Sequence, residues 1–66
     1  MMRYYSILRP IGPGTFPKSG MKDFENFDKR VYVDSIGHEA WGWLTYDREL
    51  SEKEAASYDL VRDPRS

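Results

Sequence analysis

The chain has 66 residues, 10 basic and 11 acidic side chains, a formal net charge of −1 and no cysteine. Sixty-six residues give room for one hydrophobic core worth about 3–5 kcal/mol at most. The missing cysteines exclude disulfides and thiolate metal sites and make a reducing compartment the simpler home. The charges are dispersed along the chain, so the electrostatic footprint of a nucleic-acid binder is missing. The sequence shows neither a charged leader with an apolar stretch nor an apolar run of about 18 residues, and a cytoplasmic location without a membrane partner is expected. With 39 % hydrophobic and 15 % aromatic residues, the composition is that of a folding chain.

Residues 2–9 alternate, with Tyr5 and Ile7 on one side and Tyr4, Ser6 and Leu8 on the other, which predicts a strand. Large groups on both sides place it in the centre of a sheet. Residues 10–17 hold three prolines and two glycines and predict an ordered turn rather than a helix. A weaker strand pattern covers residues 21–27, and a second covers 30–36, where Val31 and Val33 oppose Tyr32, Asp34 and Ile36. Gly37 ends that strand, and a hairpin around residues 35–38 leads to the strongest strand pattern. There Trp41, Trp43 and Thr45 lie on one side and Ala40, Gly42, Leu44 and Tyr46 on the other.

Ser51-Glu52-Lys53-Glu54 is a capping box, so a short helix starts at Ser51 and ends near Tyr58, with Leu50 and Ala55 spaced as a weak hydrophobic staple. Leu60 and Val61 form a brief strand or pack on the core. The expected organisation is a single α+β domain over residues 1–61 and a frayed tail over 62–66. Its small, mostly antiparallel sheet of three or four strands carries the C-terminal helix on one face.

The residues offer little for catalysis. His38 is the one histidine, so metal sites and hydrolytic triads lack partners, and a turn histidine exposed to water is the simpler reading. Gly12-Pro13-Gly14-Thr15 with Lys18 resembles a phosphate cradle only loosely, because Pro13 and Pro17 remove amide donors. The acids Glu52 and Glu54 suit a helix N-terminus. No cofactor is expected, and the chain is read as a non-enzyme.

Binding is the stronger theme. Ten aromatic residues compete for one small interior, so some rings must reach the surface, where tryptophan, tyrosine and arginine are the usual interface anchors. The expected contact surface combines Trp41, Trp43 and Tyr46 with Arg9, Pro13, Phe16 and Lys18 of the stiff loop, facing an unidentified protein partner. An alternative is nucleic acid stacked on the rings, with Arg3, Arg9, Lys29 and Arg30 on phosphates. A third is a small ligand, which a chain this short would enclose only as a homo-oligomer.

Three stretches, Arg3-Tyr4-Tyr5-Ser6 through residues 10–18, Ile36-Gly37-His38-Glu39-Ala40-Trp41-Gly42-Trp43, and Leu50-Ser51-Glu52-Lys53-Glu54-Ala55-Ala56-Ser57-Tyr58, together resemble a group of very short proteins of anaerobic gut bacteria, their phages and conjugative elements. The resemblance implies a bacterial, mobile-element setting. It carries no activity, cofactor or catalytic residue with it. In such a setting short proteins block a host defence enzyme or assist a larger partner encoded nearby.

Overall fold

The computed structural model describes residues 1–65. Strand β1 (Met2–Ser6) is followed by β2 (Met21–Val33), β3 (His38–Tyr46), helix α1 (Glu52–Ser57) and β4 (Leu60–Arg62). All neighbours are antiparallel, in the order β2-β3-β1-β4. The expected α+β class is therefore the observed one, and β1 is central, as its two-sided pattern requires. The order is that of a split β-α-β sheet, with residues 7–20 standing where the first connecting helix would be. Prolines at 10, 13 and 17 forbid that helix. The loop is held instead by the Asn26 side chain, whose Oδ1 accepts from the Ile11 amide at 2.7 Å and whose Nδ2 donates to the Ile11 carbonyl at 2.9 Å.

One sheet face carries the core. Tyr4, Leu44 and Tyr46 project from β1 and β3 and meet Ile11, Leu50 and Leu60, with Phe16, Met21, Ala55 and Tyr58 packed at the margin. Each large side chain removed from water here contributes about 1.5–3 kcal/mol. The Tyr4 and Tyr46 rings meet edge to face, 5.8 Å apart at 89°. Both buried hydroxyls are satisfied: Tyr4 accepts from the Leu50 amide at 2.8 Å and Tyr46 donates to the Pro17 carbonyl at 2.7 Å.

Two expectations are corrected. The patterns at 21–27 and 30–36 belong to one strand of 13 residues, which ends at Val33 rather than Ile36. Its nine-residue partner β3 cannot match that length, and the register jumps from Asn26 opposite Gly42 to Val31 opposite Ala40, so residues 27–30 bulge. Ile36 lies in the turn, where the Gly37 amide reaches the Val33 carbonyl at 3.0 Å and Gly37 takes a φ of 64°. The expected frayed tail also begins too early. Arg62 closes β4, and the Asp63 amide donates to the Arg3 carbonyl at 2.8 Å, leaving Asp63 buried. Ser66, the end of that tail, lies outside the described residues.

Helix α1 begins with both arms of its capping box, the Glu54 amide on Ser51 Oγ and the Ser51 amide on the Glu54 carboxylate. It leans on β4. The helix and the loop of residues 7–20 share one sheet face between them, and the other face is left to the alternate side chains.

Candidate functional site: the open face of the sheet

Alternation along β3 sends Ala40, Gly42, Leu44 and Tyr46 into the core and Trp41, Trp43 and Thr45 to the opposite face. Cross-strand register then sets the neighbours. Glu25 of β2 stands opposite Trp43, Trp43 opposite Tyr5 of β1, and Tyr5 opposite Val61 of β4, forming one row across all four strands. The next row sets Asp23, Thr45 and Arg3 side by side. Both tryptophans are half-buried, and neither belongs to the core cluster nor packs on its margin.

Gly42 between the tryptophans has a steric cause. A β-carbon there would collide with the Glu25 carbonyl and come within 3.0 Å of Ile11 Cδ1, so glycine lets β2 and the loop close on β3 while its two neighbours project away.

Guanidinium groups accompany both indoles. Arg3 lies 4.4 Å from the centroid of Trp43, and Arg30 lies 6.0 Å from that of Trp41. Cation–π contacts of this kind contribute about 0.5–1 kcal/mol at accessible sites. Arg30 also pairs with Glu39 at 3.0 Å. Tyr5, a member of this row, is itself buried, its hydroxyl 3.4 Å from Asp63 Oδ2. The face thus combines flat apolar rings, two guanidiniums and the carboxylates of Asp23, Glu25 and Glu39.

Strongly perturbed titration belongs to the other face. Burial pushes the Tyr46 hydroxyl up to about 12, with Arg48 acting in the opposite direction. The Arg48 guanidinium, in two hydrogen bonds of 2.9 and 3.0 Å, holds the Glu54 carboxyl below its usual range, and the Ser51 amide adds to the effect.

The structure divides the expected contact surface. Trp41 and Trp43 stand together, but Tyr46 is 0 % exposed and points into the core, because it is an odd number of steps from both. Phe16 packs against the core margin and lies 6.2 Å from Phe24. Pro13 and Lys18 are exposed on the loop, and Arg9 is tied to Asp59 at 3.0 Å. That loop covers the core face, opposite the tryptophans. Of the basic residues, Arg3 and Arg30 join the aromatic face, Arg9 does not, and Lys29 lies in the β2 bulge. Tyr5 and Val61 were missed. The period-two pattern set the side of Tyr5 on its strand but left Val61 between a brief strand and core packing, and only the register brings them beside Trp43.

His38 is exposed, its Nδ1 2.6 Å from the Glu39 carbonyl. Among the described residues no three acidic, histidine or cysteine side chains gather to hold a metal ion, and no helix is long and apolar enough to cross a membrane. A concavity of about 450 Å³ runs beside α1, lined by Ser51, Lys53, Glu54, Ser57 and Tyr58.

Packed on one face and aromatic on the other, the chain is a small open-faced α+β domain. It belongs to the family described as Defence against restriction A C-terminal, which matches residues 1–65. No curated protein and no solved structure matches it.

Proposed function

We propose that this domain is a non-enzymatic binding module that docks a protein partner on its open sheet face, acting as an accessory factor or inhibitor in defence against restriction. The observation that carries the reading is the row Glu25, Trp43, Tyr5 and Val61, beside Trp41, on the face opposite the core. A chain with so little interior gains little from two half-buried tryptophans outside its core, and far more if they serve a contact. Restriction is a barrier to incoming DNA, so a protein that defends against it serves that DNA; this agrees with the mobile-element setting and with action in the cytoplasm, where restriction occurs.

The test is capture from host lysate after nuclease treatment, comparing the native chain with Trp41→Ser and Trp43→Ser. A protein held by the native chain and lost from both variants, with far-ultraviolet circular dichroism unchanged, supports the reading. Equal capture by all three chains removes the open face from the contact.

Nucleic acid is the second reading, supported by one feature: aromatic side chains on the two central strands of an open four-stranded sheet suit the stacking of unpaired bases. The charges oppose it. Arg30 is neutralised by Glu39 and Arg9 by Asp59, while Asp23 and Glu25 line the same face. Binding of single-stranded oligonucleotide that falls steeply with added salt would favour this second reading, whereas an aromatic protein contact is nearly insensitive to salt.

A further inference from the structure

Strand β2 is an edge of the sheet, 13 residues long, with β3 on one side and, among the described residues, no strand on the other. Long edges are normally shortened, covered, bulged or charged. This one, bulged at residues 27–30, still carries three of the exposed large apolar side chains, Phe24 at 44 %, Val31 at 39 % and Tyr32 at 60 %. It also carries six charged groups, Lys22, Asp23, Glu25, Asp28, Lys29 and Arg30. Charges on an edge reject most neighbours; their order decides which neighbour is accepted.

The geometry points to a second copy of this chain as that neighbour, paired antiparallel through β2 about a two-fold axis at Phe27. An axis normal to the sheet sets one residue opposite its own copy, so the possible registers are named by that residue. Consider those that pair more than half of the strand. Centred on Glu25, Asp28, Lys29 or Arg30, a charge meets itself. Centred on Phe24, Asp23 meets Glu25, and centred on Asn26, Lys22 meets Arg30. Centred on Phe27, Glu25 meets Lys29 on both sides of the axis, Arg30 meets Phe24, Tyr32 meets Lys22, and like charges never face each other. This register alone pairs the whole strand.

The resulting sheet has eight strands, and a two-fold axis normal to it leaves both aromatic faces on the same side. The inference is independent of the identity of any partner on that face.

The absence of cysteine makes the test direct. Sedimentation velocity from micromolar to millimolar concentration should show a monomer–dimer equilibrium for the native chain. Glu25→Lys should abolish the dimer by placing lysine opposite Lys29, and adding Lys29→Glu to it should restore dimerisation. Under mild oxidation, a mixture of Glu25→Cys and Lys29→Cys chains should crosslink as the heterodimer. Neither chain should crosslink alone, since identical positions stand about 13 Å apart, four residues at about 3.3 Å each, beyond disulfide reach. Both side chains are exposed, so neither change touches the core. A strict monomer at every concentration overturns the proposal, as does a dimer that tolerates Glu25→Lys or one that crosslinks each chain to itself.

Discussion

Tyr46 shows how much a single side chain does in a molecule of this size. Its ring fills the core against Tyr4, and its hydroxyl closes the loop through the Pro17 carbonyl at 2.7 Å. Ionising the phenol removes the donor and buries a charge. Because the folded-state pKa is raised from 10.0 to about 12, this contribution is complete below pH 10 and is lost as pH rises through that interval. Alkaline unfolding followed by circular dichroism should therefore begin above pH 10, and Tyr46→Phe should remove that part of the pH dependence. At neutral pH the same variant should be destabilised by about 1–3 kcal/mol, since the Pro17 carbonyl loses its buried donor. The side of the sheet to which Tyr46 belongs was legible in the sequence: Trp43 and Tyr46 are three positions apart, and an odd separation on a strand means opposite faces. Which of the two faces is covered was not legible, because the cover comes from Ile11, Phe16 and Leu60, all distant in sequence.

At the scale of the element, local signals were read well and partnerships were not. The capping box is complete within four residues, and the helix starts where Ser51 predicts. Ser51→Ala should cost about 1 kcal/mol in chemical denaturation, the usual value of an N-cap. Glu54 links this cap to Arg48, whose guanidinium also donates to the Ser19 carbonyl at 2.9 Å, so helix and loop share one guanidinium. The pKa of Glu54 is depressed in the folded chain, so its contribution is present above the ordinary carboxyl range and disappears as pH falls through the lowered value. Glu54→Gln should accordingly flatten the acid limb of a stability–pH profile. Strand β2 was misread as two because its charges and bulge break the alternation around residues 27–30; its continuity is set by pairing with β3, which local pattern does not contain. Gly42 belongs to the same pairing. Gly42→Ala forces a methyl against the Glu25 carbonyl and should loosen β2 from β3, seen as faster amide exchange over residues 23–26 and 42–44.

For the whole molecule, the two faces of the sheet make opposite demands on mutation. Leu44 is 0 % exposed among Tyr4, Tyr46, Ile11 and Leu60, and Leu44→Ala in such a site costs about 2–5 kcal/mol. That is comparable with the entire stability available to one small core, about 3–5 kcal/mol, so the variant should be substantially unfolded at 25 °C in the absence of denaturant. Trp43 is the larger side chain, and on size alone its loss would be worse. It lies outside the core cluster, however, in the row of Glu25 and Tyr5 and beside the guanidinium of Arg3. Trp43→Ala should keep the far-ultraviolet spectrum and a cooperative transition while losing the partner, so a scan of both variants under identical conditions separates packing from contact. Should Trp43→Ala unfold as completely as Leu44→Ala, the open face would be a second core whose cover is supplied by another chain, and the native protein would then gain stability on binding in proportion to RT ln(1 + [L]/Kd).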